Sequence, residues 1–411
     1  MGAWQRGSRW TVTLLVGWLV ACSPEGSPIG PFDVPLVDGG PIRRARDAGV
    51  DGGMDAGRDV GPFGPAMWAP FADVPSTCPV EVALRPAEVG FALGWEPCGE
   101  GCAHWIGDRS LRWRDAGARR AWVSGEWLLH GFTMLLDLDA GPLFVLRVPL
   151  AIEGRALRCS LDGVSGPEDE VVVVASAIAG WTRLYRVTLG AATGIRTLLV
   201  RDDVGFDPDV LRRSETHVAL RGTAGVVWLI DAEGVANVSS RASGVAVDLQ
   251  LVGGDTFWIE QSEREVLAHA PPGMRGAVVY EPVERWLDSF STDGVDFVWI
   301  EPRAGGTALE RSEILGASFD GTQLMPRVIR ELPPGSLGSR GVVGAGMFVL
   351  RERDAYGAWT YAVYRLSDGA RAVFVPPTGR ATDVVRVTSD EILVGSTDSV
   401  YALAPSTLRF E

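Results

Sequence analysis

Phe257-Trp258-Ile259-Glu260 and Val298-Trp299-Ile300-Glu301 are two copies of one short run, 41 residues apart. Each is rich in aromatic and β-branched residues and closes on an acid ahead of a polar turn, the composition of a buried strand rather than a helix. Outward from this pair, runs of the same kind recur at 171–175, 217–220, 256–260, 297–301, 347–351 and 391–394. A second apolar run follows each after a short turn, at 184–188, 226–231, 266–270, 309–314, 361–366 and 400–403. The step between units is roughly 40 to 50 residues, the spacing of a four-stranded repeat.

That spacing predicts an all-β chain folded as a β-propeller, with 277–280 and 372–375 as outer strands. Six units lie between about residue 165 and the end. Candidate strands at 133–138, 143–148 and 155–161 supply one more, giving seven four-stranded blades, with six or eight also open. Residues 78–100 offer a strand to close the ring and so remove exposed sheet edges. A two-sheet sandwich would leave the repeated two-run unit unexplained. The two tryptophan runs resemble degenerate forms of the Tyr-Trp-Thr-Asp strand of one propeller family, and the hairpin layout is similar to the periplasmic propeller of the Tol system. Glutamate in place of aspartate is a departure from that pattern. The resemblance implies architecture alone, and Trp258 and Trp299 are read as a packed core between sheets.

The opening of the chain carries a different signal. Arg6 and Arg9 precede a largely apolar stretch at 11–20, too short to span a bilayer and suited to an export signal. It ends in Leu19-Val20-Ala21-Cys22, which resembles the lipobox of bacterial lipoproteins. The resemblance implies that 1–21 is a signal peptide, that Cys22 is acylated, and that the protein is anchored to the membrane by its lipid. Ser23, in place of an aspartate, implies transfer to the outer membrane.

Residues 22–77 are read as that cysteine and a disordered linker. Between 23 and 77 stand ten glycines, nine prolines and eight acids against four arginines, with no apolar periodicity to bury. A tether of this kind reaches about 40 Å. The propeller domain is 78–411. It holds four further cysteines, Cys78, Cys98, Cys102 and Cys159, an even number that suggests two disulfides in an exported protein. Cys98 with Cys102 across a short turn, leaving Cys78 with Cys159, is the expected pairing. A zinc site adding His104 lacks the usual paired spacing, so no metal is expected.

Composition narrows the chemistry. The formal charge is −14, which argues against a nucleic-acid surface. All 38 basic residues are arginines, and without lysine there is no Schiff base, Walker loop or kinase site. Asp137-Leu138-Asp139 and Glu168-Asp169-Glu170 could offer calcium oxygens but lack a calcium-loop spacing and read as solvated turns. His217 and His269 fall in or beside strand candidates and could approach a central channel; packed histidines are the plainer reading. Tryptophans 95, 105, 113, 122 and 127 read as a packed opening segment rather than a sugar-stacking surface. No cofactor is expected. The functional expectation is a non-catalytic envelope propeller binding a protein or glycan ligand; the alternative is an exported hydrolase or lactonase with a metal or carboxylates in its channel. No catalytic residue is assigned.

Overall fold

The structure, a computed structural model, describes residues 69–70, 80–83, 95–99, 102–105, 111–117 and, with short gaps, 119–411, all within the unit Arg44–Glu411. Between 149 and 211 it describes chiefly the backbone. The signal, Cys22, Cys78, Glu168-Asp169 and nearly all of the linker lie outside the described residues, as do the side chains of Cys98, Cys102, His104 and Cys159.

Turns such as Asp320–Gln323, where one aspartate oxygen accepts the N–H groups of Thr322 and Gln323, reverse the chain at once, so successive strands become neighbours. Five four-stranded antiparallel sheets result, each with its strands in chain order. Numbered II to VI, they open with the first strands Cys159–Ser165, Phe206–Arg213, Val245–Val252, Asp288–Thr292 and Val342–Gly344. Each is a blade of an all-β propeller. A larger sheet flanks them on either side among the described residues. Sheet I runs Arg112–Asp115, Arg120–Trp127, His130–Asp137, Gly141–Pro149 and adds Glu81–Ala83 and Ala69–Pro70 at its outer edge. Sheet VII runs Ala381–Val387, Ile392–Ser396, Ser399–Leu403 and is completed from the other end of the chain by Cys102–Trp105 and Trp95–Gly99. The first strands of successive sheets lie side by side, and Ala381–Val387 lies against Arg112–Asp115.

Several expectations shift against this topology. The two recurring runs fall on the second and third strands of sheets II to VII, the one expected at 309–314 lying at Ser312–Phe319; these strands have a strand on either side and so need apolar residues throughout. The run at Phe297–Pro302 is buried along its whole length. The first strands, nearest the axis, lie outside both run types. Residues 155–161 do not join the opening sheet: Arg155–Ala156 folds back on Ala151–Ile152, and Cys159–Ser165 begins sheet II. The stretch 78–100 does add a strand to the closing sheet, Trp95–Gly99, but the pair that joins the two ends is made by Cys102–Trp105, whose Cys102 pairs with Tyr401; Glu81–Ala83 extends sheet I, and Ala69–Pro70, inside the stretch read as linker, pairs with it. The outer strand Ala277–Tyr280 is as expected, and Arg371–Phe374 starts one residue early.

Trp258 and Trp299 are fully buried. Trp258 packs against Ala219 and Leu229 of sheet III as well as Leu249 and Ala268 of its own sheet. Trp299 packs against Phe257, Ile259 and Leu267 of sheet IV. Both therefore fill the wedge between neighbouring sheets, where large aromatic area is best used. The fit is close: a β-carbon at Gly276 would run into the Trp258 ring.

Candidate functional site

The charged residues that the apolar runs left out come together on the first strands. Asp115 (sheet I), Arg212 (III), Asp248 (IV), Asp288 (V), and Asp383 and Arg386 (VII) all lie on them, and Arg340 stands two residues ahead of Val342–Gly344. Their charges act on one another across sheets: Arg212 feels Arg340, Asp248 and Asp115, and Asp383 feels Arg340 and Arg351. Asp115, Asp288 and Arg340 are open to solvent while Asp248 and Arg386 are largely enclosed, so the group borders the channel between the first strands. The side chains of Asp115 and Arg340 are 51% and 63% exposed.

The strands reach this arrangement by leaving regular pairing. Pairing shifts register between Val247 and Gln250 in sheet IV and between Asp288 and Ser291 in sheet V. Within those bulges Asp248 and Ser289 take positive φ, 47° and 54°, and Arg340 takes 46° ahead of the next sheet. Three successive inner positions thus hold side-chain-bearing residues in the left-handed region, a cost that structures concentrate at functional sites.

The carboxylates have distinct duties. Asp248 accepts the backbone N–H of Phe290 on the next sheet, with the Arg340 guanidinium 3.8 Å away. Asp383 accepts the N–H of Trp113 at 3.3 Å. Arg386 reaches Asp115 at 3.4 Å and is also paired with Glu391. Enclosure raises the pKa of Asp115, Asp248 and Asp383 against these favourable partners. Asp288 is pushed up to about 6, first by enclosure and then by the charge of Asp248. Enclosure, followed by the charge of Arg340, lowers Arg212 to about 10.

The histidines singled out in the sequence are not in the channel. His269, on the third strand of sheet IV, is buried, stacked on Phe257 at 4.4 Å and hydrogen-bonded through Nε2 to Asp255 at 2.8 Å. His217 sits just ahead of Val218–Gly222, its Nδ1 2.6 Å from the Thr216 hydroxyl. Asp137 and Asp139 form a turn paired to Arg120 and Arg119 at 3.1 and 2.7 Å, and Asp137 accepts two turn N–H groups. Among the described residues no three His, Cys, Asp or Glu are grouped to hold a metal ion. Trp113 and Trp122 are buried, Trp113 donating its indole N–H to the Ser396 carbonyl at 2.7 Å. The side chains of Trp95, Trp105 and Trp127 lie outside the described residues. The channel aspartates escaped the sequence reading, although Asp248 and Asp383 each stand eight residues ahead of an apolar run, a recurrence that was there to find.

No protein-family model and no curated protein matches the chain. Solved structures do. The β-propeller domain of the Trilobed protease from Pyrococcus furiosus is 10% identical over 74% of this chain and 95% of that one, with a TM-score of 0.48. The WD40 domain of SCAP from fission yeast is 10% identical, covering 69% and 81%, with a TM-score of 0.44. A puromycin-hydrolyzing peptidase from Mycobacterium tuberculosis is 12% identical over 62% of this chain, which spans 46% of that protein, with a TM-score of 0.44.

Proposed function

We propose that this chain is an envelope lipoprotein, acylated at Cys22 and held at the outer membrane by a tether over 22–77, whose seven-bladed propeller binds a protein or glycan ligand at its channel without catalysis. Sheets I and VII count as the two blades beyond the five four-stranded ones. One observation carries the binding reading: Asp248 and Asp383 are engaged with backbone N–H groups of the next sheet, and Asp115 is paired with Arg386. Carboxylates oriented in this way present a fixed charge pattern to a ligand.

The hydrolase alternative draws on the same channel. Asp288, pushed up to about 6, holds a proton more readily than an ordinary carboxyl, as a general acid requires. Turnover of model esters, lactones or glycosides that is lost in Asp288→Asn would favour the enzyme.

Anchoring is tested by Cys22→Ser, which should abolish acyl labelling and signal cleavage; normal maturation with no acyl label on the native protein would end the lipoprotein reading. The expected disulfides, Cys98 with Cys102 and Cys78 with Cys159, leave no titratable thiol in the mature, denatured, unreduced protein.

A further inference from the structure

Three arginines outside the channel group gather at one end of the cleft between sheets VI and VII. Arg353 and Trp359 stand opposite each other across the hairpin of sheet VI, and Arg351 lies on the same face two residues back. Both guanidiniums rest over the Trp359 ring, 4.1 Å from its centre for Arg351 and 4.7 Å for Arg353. Arg351 also reaches the Ala381 carbonyl of sheet VII at 3.5 Å, which brings Arg380 to the same end of the cleft. Tyr361 pairs with Phe374, so Val375, 67% exposed, continues the outer strand toward Trp359. Arg353 and Arg380 are exposed, and among the described residues neither guanidinium has a hydrogen bond or an ion pair. The acids nearby are engaged elsewhere. Glu352 points to the other face of its sheet, to Tyr364 and Arg371, Asp383 holds the N–H of Trp113, and Asp398 accepts the Ser396 hydroxyl. Asp354 closes the hairpin turn, accepting the N–H groups of Tyr356 and Ala358 at 2.8 Å. That turn carries Tyr356 at its tip, 96% exposed.

Arginine, tryptophan and tyrosine are the residues that dominate protein interfaces, and here they collect positive charge on a chain whose net charge is −14. We propose that this end of the cleft docks an acidic segment of a protein partner, its carboxylates on Arg353 and Arg380 and an apolar side chain over Tyr356 and Val375. A guanidinium over a ring leaves its edge N–H groups to a carboxylate, and charge-assisted hydrogen bonds of this kind are the strong ones. An extended segment presents side chains on one face about every 7 Å, so it meets arginines on two sheets at once while its other side chains reach the exposed apolar surface. The turn that Asp354 closes is in place before the partner arrives, which lowers the ordering cost of binding. Complementary charge speeds encounter and selects an acidic partner over a neutral one. The exposed Tyr356 and Val375 favour a polypeptide over a polyanionic glycan, which has no apolar side chain to cover them.

This surface lies beside the channel, and the inference stands whether the channel binds or reacts. The test is fluorescence titration of the intact chain in detergent with a labelled peptide in which acids alternate with apolar residues, acetyl-Glu-Leu-Asp-Tyr-Glu-Leu-Asp-Tyr-amide. Its neutral counterpart, with Gln and Asn for Glu and Asp, is titrated beside it, and polygalacturonate is added as a competitor. The acidic peptide should bind saturably and more weakly as salt rises, with the neutral form about tenfold weaker. Arg353→Gln, Arg380→Gln and Tyr356→Ala should each lower affinity by about fivefold or more with an unchanged melting temperature. Arg275→Gln, at an exposed arginine of sheet IV, should bind as the native chain does. No binding at about 1 mM peptide, equal binding of the neutral form, native affinity in the three variants, or an equal loss in Arg275→Gln would overturn the inference. Displacement of the peptide by polygalacturonate at the same carboxylate concentration would assign the patch to an anionic glycan and overturn the protein partner.

Discussion

The Asp383 carboxylate accepts the backbone N–H of Trp113 at 3.3 Å, across a sequence separation of 270 residues. The indole of the same tryptophan donates to the Ser396 carbonyl at 2.7 Å. Sheets I and VII are thus tied beside the channel as well as by the outer strand Cys102–Trp105. Asp383→Ala removes this acceptor from a part-buried N–H, at a cost of about 1 kcal/mol in urea unfolding. Asp383→Asn keeps a carbonyl oxygen in place and should recover part of that loss.

Trp258 and Trp299 should behave alike because they fill equivalent wedges. Truncating either to alanine is expected to cost about 3–5 kcal/mol. Trp286, 64% exposed, is the matched control, and its truncation should stay within about 0.5 kcal/mol. A large loss at Trp286 or a small one at Trp258 would contradict the packing described.

Removing the chain after Ser389 deletes Ile392–Ser396 and Ser399–Leu403. Cys102–Trp105 then loses the strand it pairs with, and Ala381–Val387 loses its neighbour. The expected outcome is loss of the cooperative thermal transition, not a shorter but stable domain.

Asp288 makes stability depend on pH in a stated direction. With its folded pKa raised to about 6, against about 4 in the unfolded chain, the folded state binds more protons between those values. Its contribution is therefore fully present below pH 4 and is lost as pH rises through 6. Asp288→Asn removes this dependence, so the melting temperature of the variant relative to the native chain should rise from pH 4 to pH 7. Because the side chain is exposed on the channel rim, solvent screening keeps the effect small.

What the sequence made legible follows from how each strand is surrounded. Second and third strands such as Asp255–Gln261 and Val266–Ala270 have partners on either edge and sheets packed on both faces, so they read as unbroken apolar runs. Their spacing alone was enough to name the architecture. First strands such as Val245–Val252 and Ala381–Val387 border the channel and carry bulges, and an aspartate interrupts each. Period counting passes over such segments. The candidate site is built from them and from Arg340 just ahead of one, and only the circular arrangement brings Asp115, Asp248 and Asp383 together. His269 misled for the opposite reason: a histidine in an apolar strand draws notice, yet Phe257 and Asp255 account for it.

The way the last sheet is completed governs the order in which the protein can be made. Cys102–Trp105 emerges early, but its pairing partner Ser399–Leu403 is synthesised about 300 residues later. Until that partner is made, the early strand waits with an unsatisfied edge, the condition under which strands aggregate. Contacts between such distant segments also form slowly, since the loop between them must close first. Folding of this protein is therefore expected to end in a single late step.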